Sequence, residues 1–301
     1  MKKIVLITGA NGMLAKALAN HLADDYEIRF LSRGTSKLNE FYWDPSQNII
    51  DSEALVGVHH VIHLAGATIG NKRWTTKRKE LILSSRVDSA HLIRKELSKN
   101  KQQIESFISI SGVGYYGTFT SDKKFDELSP KGNDFLADVC VEWEQANHDF
   151  DKEQIAKRTA IIRSGVILEK NQGVYKSLSQ LIKFGFGSAV GSGKQYMPWI
   201  HIQDLVSMFK FILEEPSQHG IFNGVAPQQV TNLQMMQAIA KGLHKSIRLP
   251  NVPKFLLKLI YGEMSIVILE GSQVSAEKIV NAGFKFKFDS IDIAIKNLTS
   301  K

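Results

Sequence analysis

Apolar β-formers fill Ile4-Val5-Leu6-Ile7, and a glycine-bearing turn, Thr8-Gly9-Ala10-Asn11-Gly12, follows at once. Beyond the turn Met13, Leu14, Ala17, Leu18, His21 and Leu22 share one face at helical spacing. The same alternation then repeats. Glu27 to Leu31 reads as a strand ending at Ser32-Arg33-Gly34, and Phe41-Tyr42-Trp43 as a short one closed by Asp44-Pro45. His59 to Leu64 is strongly β and stops at Ala65-Gly66-Ala67, ahead of a long helical segment from about Thr75 to Leu97. A strand at Ser106 to Gly112, a helix from Phe135 to Phe150 and a strand at Thr159 to Ile162 follow. Strands alternating with helices predict an α/β fold whose doubly wound, mostly parallel sheet is covered on both faces.

Beyond Gly165 the alternation loosens. A glycine-rich stretch, Gly185 to Gly193, precedes Met197-Pro198-Trp199-Ile200-His201, and a helix is expected from about Ile202 to Glu214. Gly220-Ile221-Phe222-Asn223 reads as a last sheet strand, and from Thr231 the chain turns mainly helical. The expected organisation is a dinucleotide-binding domain over 1–225, with a cap segment inserted at about 168–200. A smaller domain over 226–301 completes the substrate-side lobe, with a cleft between the two.

Composition narrows the class. The 301 residues are 43% hydrophobic and 23% charged, ordinary for a soluble globular protein. The N-terminal apolar run is too short for a signal peptide or a membrane span. A single cysteine, Cys140, excludes an internal disulfide and a cysteine-rich metal site, and a reducing cytoplasm is the expected home. The formal charge of +8 raises nucleic acid as a partner. Its cations are scattered, without a basic stripe interleaved with aromatics, so a small anionic ligand is the better expectation and nucleic acid is set aside.

A strand turning through glycines into a helix N-terminus gathers unpaired backbone N–H groups at the positive end of a dipole. That favours a phosphate, and the spacing Gly9-x-x-Gly12-x-x-Ala15 suits a dinucleotide. Gly9, Asn11, Gly12, Met13 and Leu14 are the candidate cradle. A site for NAD usually has Asp or Glu at the end of the second strand, to accept from the ribose hydroxyls. Here Ser32-Arg33 stand instead, and a guanidinium clamps a 2′-phosphate, so NADP(H) is the expected cofactor. Arg86 lies at helical spacing from Ile82, Ala90 and Ile93, on the inward face. A cation there needs a partner, either a protein carboxylate or a cofactor phosphate.

From Thr8 to Leu298 the chain resembles the atypical short-chain dehydrogenase/reductase proteins of the epimerase family. The segments that carry the resemblance are Arg73-Trp74-Thr75, Ser85-Arg86-Val87, Gly114-Tyr115-Tyr116-Gly117 and Asp134-Phe135-Leu136-Ala137 with Cys140 and Trp143-Glu144. Arg163-Ser164-Gly165-Val166-Ile167-Leu168, Gly191-Ser192-Gly193, Trp199-Ile200-His201, Gly262-Glu263-Met264 and Ala282-Gly283-Phe284 continue it in order. The resemblance implies an extended Rossmann fold with a small C-terminal domain of the group's own, and NADP binding. It also implies that Ser32-Arg33 touch the adenosine phosphate, that Leu64, Ala65 and Gly66 lie along the cofactor with Arg86 near it, and that Ile167 sits beside the nicotinamide.

Catalytically active relatives use a tyrosine, a lysine four residues later and a nearby serine; the tyrosinate moves a proton and the lysine lowers its pKa while holding the nicotinamide ribose. Ser111 suits the serine, but counting back from Glu144 the other two places hold Leu136 and Cys140. No lysine lies between Lys131 and Lys152, so no slip of register restores the pair. Two readings stay open. One is an oxidoreductase or epimerase-like enzyme that uses Ser111 or Tyr115, with Trp74, Tyr116, Trp199 and His201 toward a small-molecule substrate. The other is a non-catalytic NADP(H)-binding sensor or scaffold, as monomer or homodimer. Ser188 and Gln195 spoil a P-loop over Gly187 to Gln195. His59, His60 and His63 lack acidic or cysteine partners at ligand spacing, so they are expected as buried or edge histidines and no metal site is assigned. Nothing near Cys140 in sequence would activate its thiol.

Overall fold

The computed structural model describes residues 2–34, 39–70 and 72–300. Its first half is the alternation expected from the sequence: β1 (Ile4–Thr8), α1 (Met13–Leu22), β2 (Glu27–Ser32), β3 (Glu40–Asp44), β4 (Ile49–Ile50) and β5 (Val58–His63). Then come α2 (Thr76–Lys99), β6 (Ser106–Gly112), β7 (Ser121–Phe125), α3 (Phe135–Lys152) and β8 (Thr159–Ser164). Eight strands form one sheet in the order β11-β8-β6-β5-β1-β2-β3-β4, where β11 is Gly220–Gly224. Every pairing in it is parallel except that of β3 with β4.

Both faces are buried because neighbouring residues of each strand point to opposite sides and both sides are apolar. On β1, Val5 and Ile7 join α1 and α5 (Ile202–Glu214), packing with Leu18, Leu205 and Phe209. Leu6 points the other way, into a core with Ile93 and Leu97 of α2 and Phe150 of α3. β1 lies between β2 and β5, so the chain's order across the sheet reverses there. Such a reversal opens a crevice beyond the carboxyl ends of the strands.

The remaining elements are β9 (Val166–Leu168), α4 (Gly173–Lys183), β10 (Trp199–His201), α6 (Asn232–Gly242), α7 (Lys254–Tyr261), α8 (Ile266–Leu269), β12 (Ser272–Val274), α9 (Glu277–Asn281) and α10 (Ile291–Thr299). β9 and β10 form a parallel pair, and α4, α6 and α10 enclose a third core around Trp199 and Phe288. β7 pairs with β12 across nearly half of the chain. The C-terminal stretch is not confined to the cap, because Ile279 and Phe284 pack into the main core beside Phe209 and Phe222. The Asp204 carboxylate on α5 accepts from the backbone N–H groups of Lys287 and Phe288, both at 2.9 Å, and fixes that return.

Candidate cofactor cleft and the place of the missing relay

Gly9 has φ +76°, a conformation that L side chains rarely adopt, and a Cβ on it would come 3.1 Å from the Leu64 carbonyl oxygen. The Gly12 N–H donates to Gly9 O at 2.7 Å and closes the turn. Gly12 is the N-cap of α1, no side chain caps it, and no acidic residue occupies the first turn. The opening N–H groups of Met13 and Leu14 are therefore left for an anion. Asn11 is exposed at the tip of the turn, and Met13 is half-buried, with its side chain toward Gly173.

The Thr8 hydroxyl ties this turn to the next strand. Its oxygen accepts from the N–H groups of Leu64 and Ala65, both at 2.9 Å, so its proton is free to donate to His63 Nδ1 at 3.0 Å. That leaves the proton of the neutral imidazole on Nε2, which faces Arg86 O and the Ser89 hydroxyl. Burial holds the His63 pKa at about 4. His60 is likewise buried, against the Ser106 hydroxyl, and His59 Nδ1 accepts from the Ile4 N–H. All three rings thus hydrogen-bond within the fold, and among the described residues no group of His, Cys, Asp and Glu is arranged to hold a metal.

At the end of β2 the Ser32 hydroxyl donates to Gly34 O at 2.7 Å, and Arg33 stands exposed beside it. The last residues of β2 supply no carboxylate that would accept from a ribose. Arg86 corrects one of its two expectations. Among the described residues no carboxylate pairs with it; Nη1 donates to Ile82 O at 2.7 Å, and Nε is buried without an acceptor. Its guanidinium lies 4.7 Å from the centre of the Trp143 ring and directly over Gly66, where a Cβ would come 2.9 Å from Cζ. Burial lowers its pKa to about 10, so it stays charged at neutral pH. An uncompensated buried guanidinium is costly, which points to an acceptor from outside the chain.

Leu136 and Cys140 line α3 above Gly114, and the Cys140 thiol donates to Gly112 O at 3.5 Å. Burial, reinforced by the charge of Glu144, raises that thiol to about 11. We therefore expect Cys140 of the folded protein to resist iodoacetamide at pH 8 and to react fully in denaturant; rapid alkylation of the folded chain would contradict its burial. Ser111 does not reach into the cleft unengaged: its hydroxyl donates to Glu144 Oε1 at 2.9 Å. The same carboxylate receives Arg163 Nε at 2.8 Å and Nη2 at 2.7 Å, in a bidentate pair whose side chains are almost wholly buried. Burial pulls the Arg163 pKa down, but the hydrogen bonds and charge of Glu144 outweigh it and hold the guanidinium above its ordinary value. Arg163 Nη1 donates to the Tyr116 hydroxyl, which in turn donates to Asn223 Oδ1 at 2.7 Å. The Arg163 guanidinium also lies 3.3 Å from the Tyr115 ring centre.

The structure thus gathers Ser111, Tyr115 and Tyr116 around a buried Glu144–Arg163 pair to which the sequence reading assigned no chemistry. The signal was present: Glu144 sits on the same face of α3 as Cys140 and Asn147, and Arg163 interrupts the apolar run of β8. Of the candidate substrate residues, Trp74 is buried with Leu136 and Met264, its indole N–H donating to Ile69 O and its ring edge-on to Phe135. Tyr116 is buried inside the polar network. Trp199 and His201 are drawn away from the cleft. Trp199 is fully buried and donates to Gln228 O, while His201 caps α5 through Nδ1 and stacks on Phe288 at 3.8 Å. Ile167, by contrast, is only half-buried and packs against the core that contains α1 and β1.

Residues 5–136 match the model of the NAD dependent epimerase/dehydratase family, and residues 252–298 match a domain of unknown function, DUF1731. The chain is 34% identical to the chloroplastic epimerase family protein SDR39U1 homolog of Arabidopsis thaliana, over 97% of its own length and 85% of that protein's. The chain belongs to the epimerase family. Among solved structures, this epimerase-family chain is similar to human epimerase family protein SDR39U1 (isoform 2) with NADPH, with a TM-score of 0.87, 28% identity and coverage of 98% and 99% of the two chains. It is also similar to a nucleoside-diphosphate sugar epimerase of Corynebacterium glutamicum, with a TM-score of 0.80 and 28% identity, over 99% of this chain and 58% of that one. Among the described residues of this family member, no helix is long and apolar enough to cross a membrane.

Proposed function

We propose that the protein binds NADP(H) in the crevice above β1, β2 and β5. One observation carries the reading: an uncapped helix N-terminus behind a glycine turn faces the same crevice as a buried, uncompensated guanidinium, that of Arg86. Gly9, Asn11, Gly12, Met13 and Leu14 would hold the bridging phosphates through backbone N–H groups. Ser32 and Arg33 would take the adenosine 2′-phosphate, and Leu64, Ala65 and Gly66 would line the cofactor, with Ile167 at its nicotinamide end. The NADPH carried by the human relative supports this assignment. The test is a fluorescence titration. NADPH should bind more tightly than NADH by about tenfold or more, and Arg33→Ala should remove most of that difference. Equal affinity for both cofactors in the wild-type protein would refute the role of Arg33.

The function that follows is a cofactor-dependent reductase or epimerase on a small molecule. When bound, the cofactor would supply a hydride in its reduced form to a carbonyl or enone, or in its oxidised form would take one from a sugar carbinol and return it; everything else must come from the chain. Tyr115, held beneath Arg163, is the group we propose as the source of the proton, and Ser111 orients it through Glu144. A second reading, an NADP(H) sensor without turnover, is favoured by Leu136 and Cys140 standing where the relay would be and by the engagement of Ser111 with Glu144. Incubation with NADPH and a panel of ketones and enones, and with NADP+ and a panel of nucleotide sugars, separates the two. Turnover lost in Tyr115→Phe supports the enzyme, whereas tight binding with no turnover on any substrate supports the sensor.

A further inference from the structure

We propose that Arg86 delivers from α2 the cation that active relatives carry as a lysine on α3, so that its guanidinium serves the nicotinamide riboside half of the cofactor. The proposal rests on the NADP(H) reading and refines the part Arg86 plays in it.

The geometry points this way from three sides. First, the guanidinium lies over the ring of Trp143, which follows Cys140 by three residues on α3 and so shares its face. Arg86 and Cys140 are close enough for the charge of one to bear on the ionisation of the other. The positive charge missing at position 140 is therefore present beside it, reached from the neighbouring helix. Second, the donors there are unanswered. Among the described residues neither Arg86 Nε nor Trp143 Nε1 finds an acceptor, although each side chain is more than nine-tenths buried. Buried donors in native proteins nearly always find a partner, and the protein leaves the guanidinium with one, Ile82 O on Nη1, so that Nη2 is the donor left for an acceptor oxygen of a ligand. Third, the guanidinium lies against Gly66 at the carboxyl end of β5, where a Cβ would have to push Cζ aside. This is the α3 side of the crevice, away from Ser32 and Arg33 at the end of β2, where the adenosine belongs.

Two ligands test the proposal: NADPH, and 2′-phosphoadenosine 5′-diphosphate, which keeps the adenosine half and both bridging phosphates but lacks the nicotinamide riboside. Arg86→Met should weaken NADPH by about ten- to a hundredfold, the range of a lost charge-assisted hydrogen bond, and leave the shorter ligand within about twofold. Adding Cys140→Lys to Arg86→Met should return most of the NADPH affinity. The melting temperature of ligand-free Arg86→Met, unchanged or raised, shows that the loss is not one of folding. An equal loss for both ligands makes Arg86 a phosphate clamp and overturns the proposal, as does unchanged NADPH binding in Arg86→Met. If the double variant does not fold, the two-ligand comparison in Arg86→Met alone decides. Failure of the wild-type protein to bind either ligand would instead remove the cofactor reading itself.

Discussion

Lowering the pH from 6.5 to 4 should strip the fold of most of its stability. His60, His63 and His201 are each held by burial at a pKa of about 4, against an ordinary value of 6.5. In that window the unfolded chain carries protons on all three that the folded chain refuses. Stability therefore rises with pH: their contribution is complete above 6.5 and is lost as the pH falls toward 4. Each shift corresponds to about 3 kcal/mol, so the three together reach the order of a whole domain's net stability. Glu105, 3.5 Å from His60 Nε2, softens only that one. Urea unfolding at intervals across the window is the check. The slope of the unfolding free energy should correspond to an uptake of roughly two to three protons near pH 5.3. An uptake below one proton would mean that these imidazoles are charged in the folded protein, and the neutral Thr8–His63 arrangement would have to be abandoned.

The second large effect is expected at Glu144. Glu144→Ala leaves the Arg163 guanidinium almost fully buried with no counter-charge, at a cost of about 3–5 kcal/mol. In a chain of this size, that corresponds to a drop in melting temperature of roughly 5–8 °C. The pair itself need not be stabilising against an apolar alternative, because desolvating both charges costs about as much as their attraction returns. Glu144→Leu combined with Arg163→Met should therefore recover much of the loss. Thermal denaturation of the single and double variants measures both parts. A single variant that melts within about 2 °C of wild type would show that the pair is not desolvated as the structure has it. What the pair does provide is position: it takes the Ser111 proton, props Tyr116 against Asn223 and pins the ring of Tyr115. An apolar replacement cannot do that, so the recovered double variant should be stable and yet lose any turnover that depends on Tyr115.

How far these features could be read from the sequence depended on whether their cause was local. The Gly9–Gly12 turn, the parallel strands and the odd placement of Arg86 were legible because each rests on spacing within one element or two adjacent ones. That no carboxylate among the described residues stands beside Arg86 was not, since periodicity tells that a charge faces inward and never what it meets. Glu144 and Arg163 lie on a helix and a strand whose register is set only by packing, so their pairing was hidden. The enclosure of Trp199 and His201 was hidden for a related reason. Their position at a strand end suits a cleft residue, but the capping of α5 and the return of Phe288 from the C-terminus enclose both. β7 escaped notice because Ser121-Asp122-Lys123-Lys124 has little β character of its own and is extended by its distant partner β12.

That pairing, together with Ile279 and Phe284 in the main core, bears on how such a chain can evolve. The matched C-terminal segment over 252–298 looks like a module, yet it supplies side chains to the interior of the sheet domain and a strand to one of its excursions. Grafting it onto another nucleotide-binding sheet would leave behind the surfaces it was shaped for. Deleting it would expose Phe209 and Phe222 rather than simply open the cleft. The two segments are therefore expected to be inherited together, because each completes the packing of the other.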